Sequence, residues 1–263
     1  MQIPGRVFVV TGGGNGIGRQ VALQLLNSGA RVAAVDLDVT RLEETSALAG
    51  AAAARLSTHA VDVTDRHAVD AVVGAVLTAH GQVDGVINLA GIVHRFVRIP
   101  ELTRDEIERI VNVNFWGTVN VSLAFLPELR TRPAASLVNV SSLSGLVSFA
   151  GQAFYSATKG AVKQFTEGLY QELIDTNVAV TAVFPGNIST NISGNSGVQM
   201  IDTGGRKVRA TTPERTAQKI VRAVEKGPFR VVIGSDARLL DGLSRIAPRL
   251  AANIVAKQMK SVL

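Results

Sequence analysis

The sequence predicts a doubly wound α/β domain: a parallel sheet of seven strands with helices on both faces. Three observations carry this. Short β-branched apolar runs alternate with amphipathic stretches along the 263 residues. The runs lack the polar alternation of a sheet with one wet face, so both faces are expected to be covered. A glycine-rich turn also joins the first run to the first amphipathic stretch.

In order, "RVFVVT" (6–11) reads as a buried strand. "GIGRQVALQLLNSG" follows as a helix, with Val21, Ala22, Leu25 and Leu26 at helical spacing and Gly29 as its stop. "RVAAVD" (31–36) and "STHAVDV" (57–63) are the next strands, then a helix in "DRHAVDAVVGAVLTAHG" and a strand in "VDGVINLAG" (83–91). A long helix is expected in "LTRDEIERIVNVNFWGTVNVSLAFLPEL", a fifth strand in "AASLVNVSS" (134–142) and a helix in "YSATKGAVKQFTEGLYQELIDT". "VAVTAVFPG", a helix capped by Thr212 with Pro213 at its first position, and "FRVVIG" complete the pattern. No linker, repeat or low-complexity tract divides it. Residues 1–235 are expected to form one domain, including a glycine-rich, polar loop over 191–211 that reads as a lid. Residues 236–263 are expected to form a basic amphipathic extension.

Composition excludes several classes. There is no cysteine, so disulfide scaffolds, thiol catalysis and cysteine-bound metals are ruled out. The four histidines show no ligand spacing, so no catalytic metal is expected. The net charge of +6 sits at one end: residues up to Thr203 carry 14 Lys and Arg against 17 Asp and Glu, and the remainder 13 against 4. The acidic body argues against nucleic acid as a partner. No secretory signal pattern or apolar run of about 18 residues is seen, so a soluble, cytoplasmic protein is expected.

"TGGGNGIG" (11–18) falls between the first strand and the first helix. Gly12, Asn15, Gly16, Ile17 and Gly18 there suit a pyrophosphate, because bare backbone N–H groups at a helix N-terminus draw anions. Asp36 ends the second strand, where a carboxylate accepts both hydroxyls of an adenosine ribose. A 2′-phosphate would be repelled there, with Leu37 offering no cation and Arg19 expected on an exposed helix face, so NAD is favoured over NADP. Asp62, followed by Val63, is placed to accept from an adenine amino group. Asn88, Ala90 and Gly91 of "NLAG" supply small residues where a flat cofactor needs the backbone close. Together these predict a Rossmann-like nucleotide site.

These elements, with Asn114 in "NFWG", "NVSS", "YSATK" and "PGNIST", resemble the classical short-chain dehydrogenase/reductase family over nearly the whole chain. One departure is Leu89, where the family usually has a second asparagine. The resemblance implies a tetrad of Asn114, Ser142, Tyr155 and Lys159, with Ser142 chosen because it precedes Tyr155 by 13 positions. It implies that Lys159 anchors the nicotinamide ribose, that Asn114 holds a water, and that Pro185, Gly186, Ile188 and Thr190 cap the nicotinamide. It further implies a substrate pocket near His94, Phe96, Leu143, Phe149, Gln152, Phe184 and residues 191–208, and a homo-oligomer, commonly a tetramer.

The chemistry follows from the spacing of Tyr155 and Lys159. Four residues apart on a helix, they share a face. A phenol near pKa 10 needs roughly 4 kcal/mol to become a base near pH 7. A cation about 4 Å away at an effective dielectric of about 20 supplies roughly that. Tyr155 is therefore expected to move the proton of a secondary alcohol or its ketone, with Ser142 holding the oxygen. An NADPH-preferring carbonyl reductase, a non-catalytic NAD-binding regulator and a methyltransferase are the competing readings; the last two leave the tetrad unexplained. His94 is open between a substrate contact and a solvated loop histidine. The tail, with Leu239, Leu243, Ile246, Leu250 and Ile254 among arginines and lysines, is open between a subunit contact, a cover for the substrate entrance and an anionic membrane surface.

Overall fold

The structure is a computed structural model that describes residues 1–189, 196 and 210–259. Its strands are β1 (Val7–Thr11), β2 (Arg31–Asp36), β3 (Leu56–Ala60), β4 (Gly85–Asn88), β5 (Ala135–Val140), β6 (Val178–Pro185) and β7 (Arg230–Ile233). They form one parallel sheet in the order β3-β2-β1-β4-β5-β6-β7. The order reverses between β1 and β4, and a crevice at the carboxyl ends of these strands is the usual consequence.

Each face is sealed by its own apolar cluster. On one, Val21, Leu25 and Leu26 of α1 (Gly16–Asn27) meet Phe8, Val10, Val138 and Val183, and Ile220 and Val224 of the helix Pro213–Lys226 join them. On the other, Val69, Val72 and Val76 of the helix Arg66–His80 pack with Val9, Val86, Leu137, Phe125 and Leu169. Alternate residues of the same strand serve the two clusters, as period-two side-chain placement requires.

The helix caps follow the sequence signals. Asp65 accepts from the His67 and Ala68 N–H groups ahead of Arg66–His80, and Thr212 accepts from Arg215 N ahead of Pro213–Lys226. Gly29 takes a φ of +82° immediately after the Ser28 cap.

Several elements differ from expectation in presence or extent. Helix α2 (Val39–Ala49), capped by Asp38, and the 3-10 turn Gly50–Arg55 fill the interval between β2 and β3. Three predicted strands are shorter, because pairing ends where the chain turns into the crevice. The long fourth helix is α4 (Arg104–Val111) and α5 (Gly117–Arg130), joined by a π-helical turn, Asn112–Trp116. The tail, as its near-helical apolar spacing and Pro248 lead one to expect, is two helices, Ser235–Ile246 and Pro248–Met259. The remaining helix, Ala153–Leu173, carries the tyrosine and lysine. Numbered in chain order, Arg66–His80 is α3, Ala153–Leu173 α6, Pro213–Lys226 α7, Ser235–Ile246 α8 and Pro248–Met259 α9. None of the described helices is long and apolar enough to cross a membrane.

Candidate active site

A crevice of about 930 Å³ opens at the switch point. Its walls contain Gly12, Asn15, Gly16, Ile17, Asp36, Asp62, Val63, Ala90, Gly91, Ser142, Tyr155, Lys159, Pro185, Gly186 and Ile188, all singled out in the sequence.

At the phosphate end the loop is held by close backbone packing. Gly12 has φ +68°, and a Cβ on Gly18 would stand 2.0 Å from the Gly12 carbonyl oxygen. Gly18 therefore shapes the turn but is not part of the crevice wall. The Asn15 side chain accepts from Gly16 N at 2.6 Å, starting α1. Thr11, not singled out in the sequence, accepts from the N–H groups of Leu89 and Ala90 at 3.0 and 3.1 Å, bracing the strand-four turn against β1. Leu89, the residue departing from the family pattern, packs against the apolar core and donates only through its backbone.

At the adenosine end, Asp36 Oδ2 accepts from Gly14 N at 2.9 Å, which fixes the carboxylate at the loop. Two expectations fail here. Arg19 is not on an exposed face: its guanidinium lies 15% exposed, donating to the Gly14 and Arg41 carbonyls and Thr45 Oγ1, and paired with Glu44 at 2.6 Å. Buried carbonyls at the α1–α2 corner draw it in. A cation does stand near Leu37, because Arg41 of the unforeseen α2 lines the crevice, although Asp38 pairs with it at 3.0 Å. Asp62 Oδ1 accepts from both Thr64 N and Thr64 Oγ1 at 2.8 Å. Val63 is buried under Gly117.

At the reacting end, Tyr155 and Lys159 lie one turn apart on α6, with the ammonium 5.9 Å from the phenol ring centroid. Lys159 Nζ donates to the Val140 carbonyl at 3.1 Å, and burial pulls its pKa down to about 8. Room for the ammonium depends on Gly91, where a Cβ would stand 3.2 Å from both Lys159 Nζ and Asn114 Oδ1. Burial pushes the Tyr155 phenol above its ordinary pKa, against a smaller downward pull from the neighbouring Ser142 hydroxyl. The expectation that Lys159 alone brings the phenol near neutrality is corrected accordingly. Ser142 Oγ accepts from Ser144 N at 3.1 Å, which leaves its own proton to donate. Ser141, by contrast, donates to the Lys159 carbonyl at 2.6 Å and braces α6.

Asn114 is fully buried in the π-helical turn. Its Oδ1 accepts from Ile92 N at 2.8 Å, while Nδ2 donates to Ile92 O at 3.0 Å and Thr158 Oγ1 at 3.1 Å. The extra residue of the π turn is what carries this side chain across to both the strand-four loop and α6; such insertions recur at functional sites.

The substrate-side expectations divide. His94 and Gln152 come together: Gln152 Nε2 donates to His94 O at 2.7 Å, and both side chains are buried. Phe149 is half-buried and lies off the crevice wall. Phe184 is fully buried with Arg230 4.8 Å from its ring, because it lies within β6 and its side chain stands on a covered face of the sheet. It lines no substrate pocket among the described residues. Asn88 likewise turns into the core, donating to Ser122 Oγ at 3.0 Å and Asn139 Oδ1 at 2.8 Å. Thr190 and most of the 191–211 loop lie outside the described residues. A further unforeseen residue is Asp236, in the first turn of α8, whose Oδ2 accepts from Asn187 N at 2.8 Å and so fixes the Pro185–Ile188 cap. Its signal was legible only as a helix-start acid. Among the described residues no three His, Cys, Asp or Glu gather as metal ligands.

A crevice at the switch point of a doubly wound sheet, with Ser142, Tyr155 and Lys159 together on its wall, is the arrangement of a Rossmann-like fold. The family model for the short chain dehydrogenases matches residues 6–200, and the chain belongs to that family. It is 40% identical, over 96% of both chains, to SadH of Mycobacterium tuberculosis, whose name assigns it to the oxidoreductases. Among solved structures it is similar to 3-ketoacyl-(acyl-carrier-protein) reductase from Brucella melitensis complexed with NADH, at TM-score 0.78 and 27% identity over 88% of this chain and 96% of that one. It is also similar to ElxO with NADP bound, at TM-score 0.77 and 25% identity over 87% and 97%.

Proposed function

We propose that the protein transfers a hydride between NAD and a secondary alcohol or its ketone, with Tyr155 as the proton carrier. The observation that carries this is that Ser142, Tyr155 and Lys159 meet on the wall of one crevice, with the Lys159 ammonium 5.9 Å from the Tyr155 ring centroid and glycines that leave room for a dinucleotide. The cofactor fits residues already in place: bare loop N–H groups at the start of α1, the Asp36 carboxylate, and the Gly91 gap beside Lys159. Bound there, the nicotinamide supplies the hydride acceptor or donor. Ser142 donates to the substrate oxygen and orients it. Tyr155 takes the hydroxyl proton in oxidation and returns one in reduction. Lys159 holds the ribose and steadies the phenolate, with the positively charged oxidised ring adding to that pull.

NAD is favoured over NADP because Asp36 and Asp38 stand together at the ribose end and Arg41 is already paired. A 2′-phosphate there would have to break that pair. The NADH and NADP bound by the two similar structures represent both alternatives. Hydrophobic substrates suit the Ile92, Val93 and Ile188 walls. We further propose that residues 1–235 are the catalytic body and that it forms a homo-oligomer through α5 and α6, where Leu123 of α5, Trp116 just before it and Ile174 just after α6 are half exposed or more. The tail is either part of that assembly or a peripheral membrane contact.

The test follows nicotinamide absorbance across hydrophobic secondary alcohols and ketones with each cofactor. Tyr155→Phe should abolish turnover and leave cofactor affinity within about threefold. Retention of more than roughly a tenth of the wild-type rate would overturn the proton-transfer role.

A further inference from the structure

The helices α8 and α9 pack on each other and carry a surface that hydride transfer does not use. Of twelve large apolar side chains exposed among the described residues, four stand here: Leu239, Ile246, Leu250 and Ile254, at 72%, 88%, 52% and 36%. Their spacing sets them in rows. Leu239 and Ile246 are seven apart, two turns along one face of α8, and Leu250 and Ile254 are four apart on α9. Ala237, Ala251 and Val255 are buried and take the inward side.

Cations run beside these rows. Arg238 and Arg245 precede Leu239 and Ile246, Arg249 precedes Leu250, and Lys257 follows Ile254 by one turn; all four are exposed. Arg245 pairs with Asp241 at 3.1 Å, whereas Arg238, Arg249 and Lys257 have no carboxylate partner among the described residues. The two acids of these helices are turned to other work. Asp236 accepts from Asn187 N, and Asp241 faces Arg245 and Arg230. The outer face therefore mixes aliphatic side chains with charge of one sign.

That mixture selects the occupant. A second copy of the same face, brought up about a twofold axis, would set these cations against their own images with no exposed acid to offset them. A folded protein partner is gripped chiefly through aromatic anchors, and the exposed apolar side chains here are all aliphatic. Leucine and isoleucine flanked by arginine and lysine match instead the boundary of an anionic bilayer, where acyl chains take the former and headgroup phosphates the latter. Neither helix is long and apolar enough to cross, so the pair would lie on the surface.

We propose that the outer face of α8 and α9 docks the protein on an anionic lipid bilayer. This decides between the two roles proposed for the tail and is independent of the hydride chemistry, because lipid binding is read without turnover.

The experiment sediments the full-length protein with vesicles of phosphatidylcholine alone and with vesicles containing one-third phosphatidylglycerol. Each cation near an anionic surface is worth about fivefold in binding, so Arg238, Arg249 and Lys257 together should make the anionic vesicles bind about a hundredfold more tightly. Near-molar salt, or the triple variant Arg238→Gln/Arg249→Gln/Lys257→Gln, should remove most of that preference. Leu239→Gln/Ile246→Gln should weaken binding to the anionic vesicles by at least about tenfold. Equal binding of wild type to both vesicle types, or none to the anionic ones, would overturn the proposal, and neither result needs a variant to fold. So would a Leu239→Gln/Ile246→Gln protein that binds as wild type does. A fall in that variant's oligomer mass by light scattering would show that a second copy covers this face, and would overturn it too.

Discussion

Replacing Lys159 with methionine should make the cofactor-free protein more stable at neutral pH while abolishing turnover. Lys159 is 5% exposed, and the only hydrogen bond of its ammonium among the described residues is to Val140 O. Its pKa falls from 10.5 to about 8, so the folded state binds its proton less tightly than the unfolded chain does. Where the unfolded state binds more protons, stability rises with pH. The penalty is therefore fully present below about pH 8 and is relieved as pH climbs from about 8 towards 10.5. At about 1.36 kcal/mol per unit, the full penalty is about 3 kcal/mol, and about 2 kcal/mol of it disappears between pH 7 and pH 9.5. Urea unfolding of wild type and Lys159→Met at both pH values isolates this change, because other titrating groups cancel in the double difference. The variant's advantage should shrink by about 2 kcal/mol on going to pH 9.5. An advantage that stays constant, or grows, would refute the claim that the fold bears a cost to keep this ammonium dry.

Further expectations concern other parts of the molecule. Asp36→Ala should weaken NAD binding by about tenfold more than NADP binding in fluorescence titrations, and an unchanged ratio removes the ribose assignment. Asp84 is buried and accepts from Arg6, Arg132, Gln82 and Val7 N at 2.7–2.9 Å. Although burial works to raise its pKa, these donors hold it below the usual carboxylate range. Its contribution is thus present above the unfolded pKa near 4 and is lost as pH falls through the folded value. Asp84→Asn should cost about 3–5 kcal/mol at pH 7 by denaturant unfolding. Removing residues 236–263 should expose the Gly186–Asn187 turn and raise the KM for NAD; liposome flotation with and without the segment decides whether Leu239 and Ile246, 72% and 88% exposed, rest on anionic lipid.

How far the sequence reached depends on the range of the forces involved. The strands and the helices α1, α3 and α7 were legible because apolar periodicity and local caps specify them within a dozen residues. Helix α2 was not, since "LDVTRLEETSALAG" buries only Leu42 and Thr45 and lacks a clear apolar stripe. The π turn was invisible, because "NVNFW" is helical by every local measure and the extra residue is fixed by where Asn114 must reach. Loop-borne site residues such as Gly12 and Asp36 were found through their motif. Arg41 came with the unread helix, and Phe184 was misplaced because strand alternation beyond the motif turned it inward. His94 and Gln152 were named from topology, yet the hydrogen bond between them is a property of three-dimensional packing.

The Asp236 carboxylate gives the end of the chain a grip on the crevice. It lies in the first turn of α8 and grasps Asn187 in the Pro185–Ile188 turn, so the helical hairpin and the rim above the reacting centre are one mechanical piece. Losing that helix would therefore take away a support of the crevice wall at Gly186–Ile188 as well as a piece of surface.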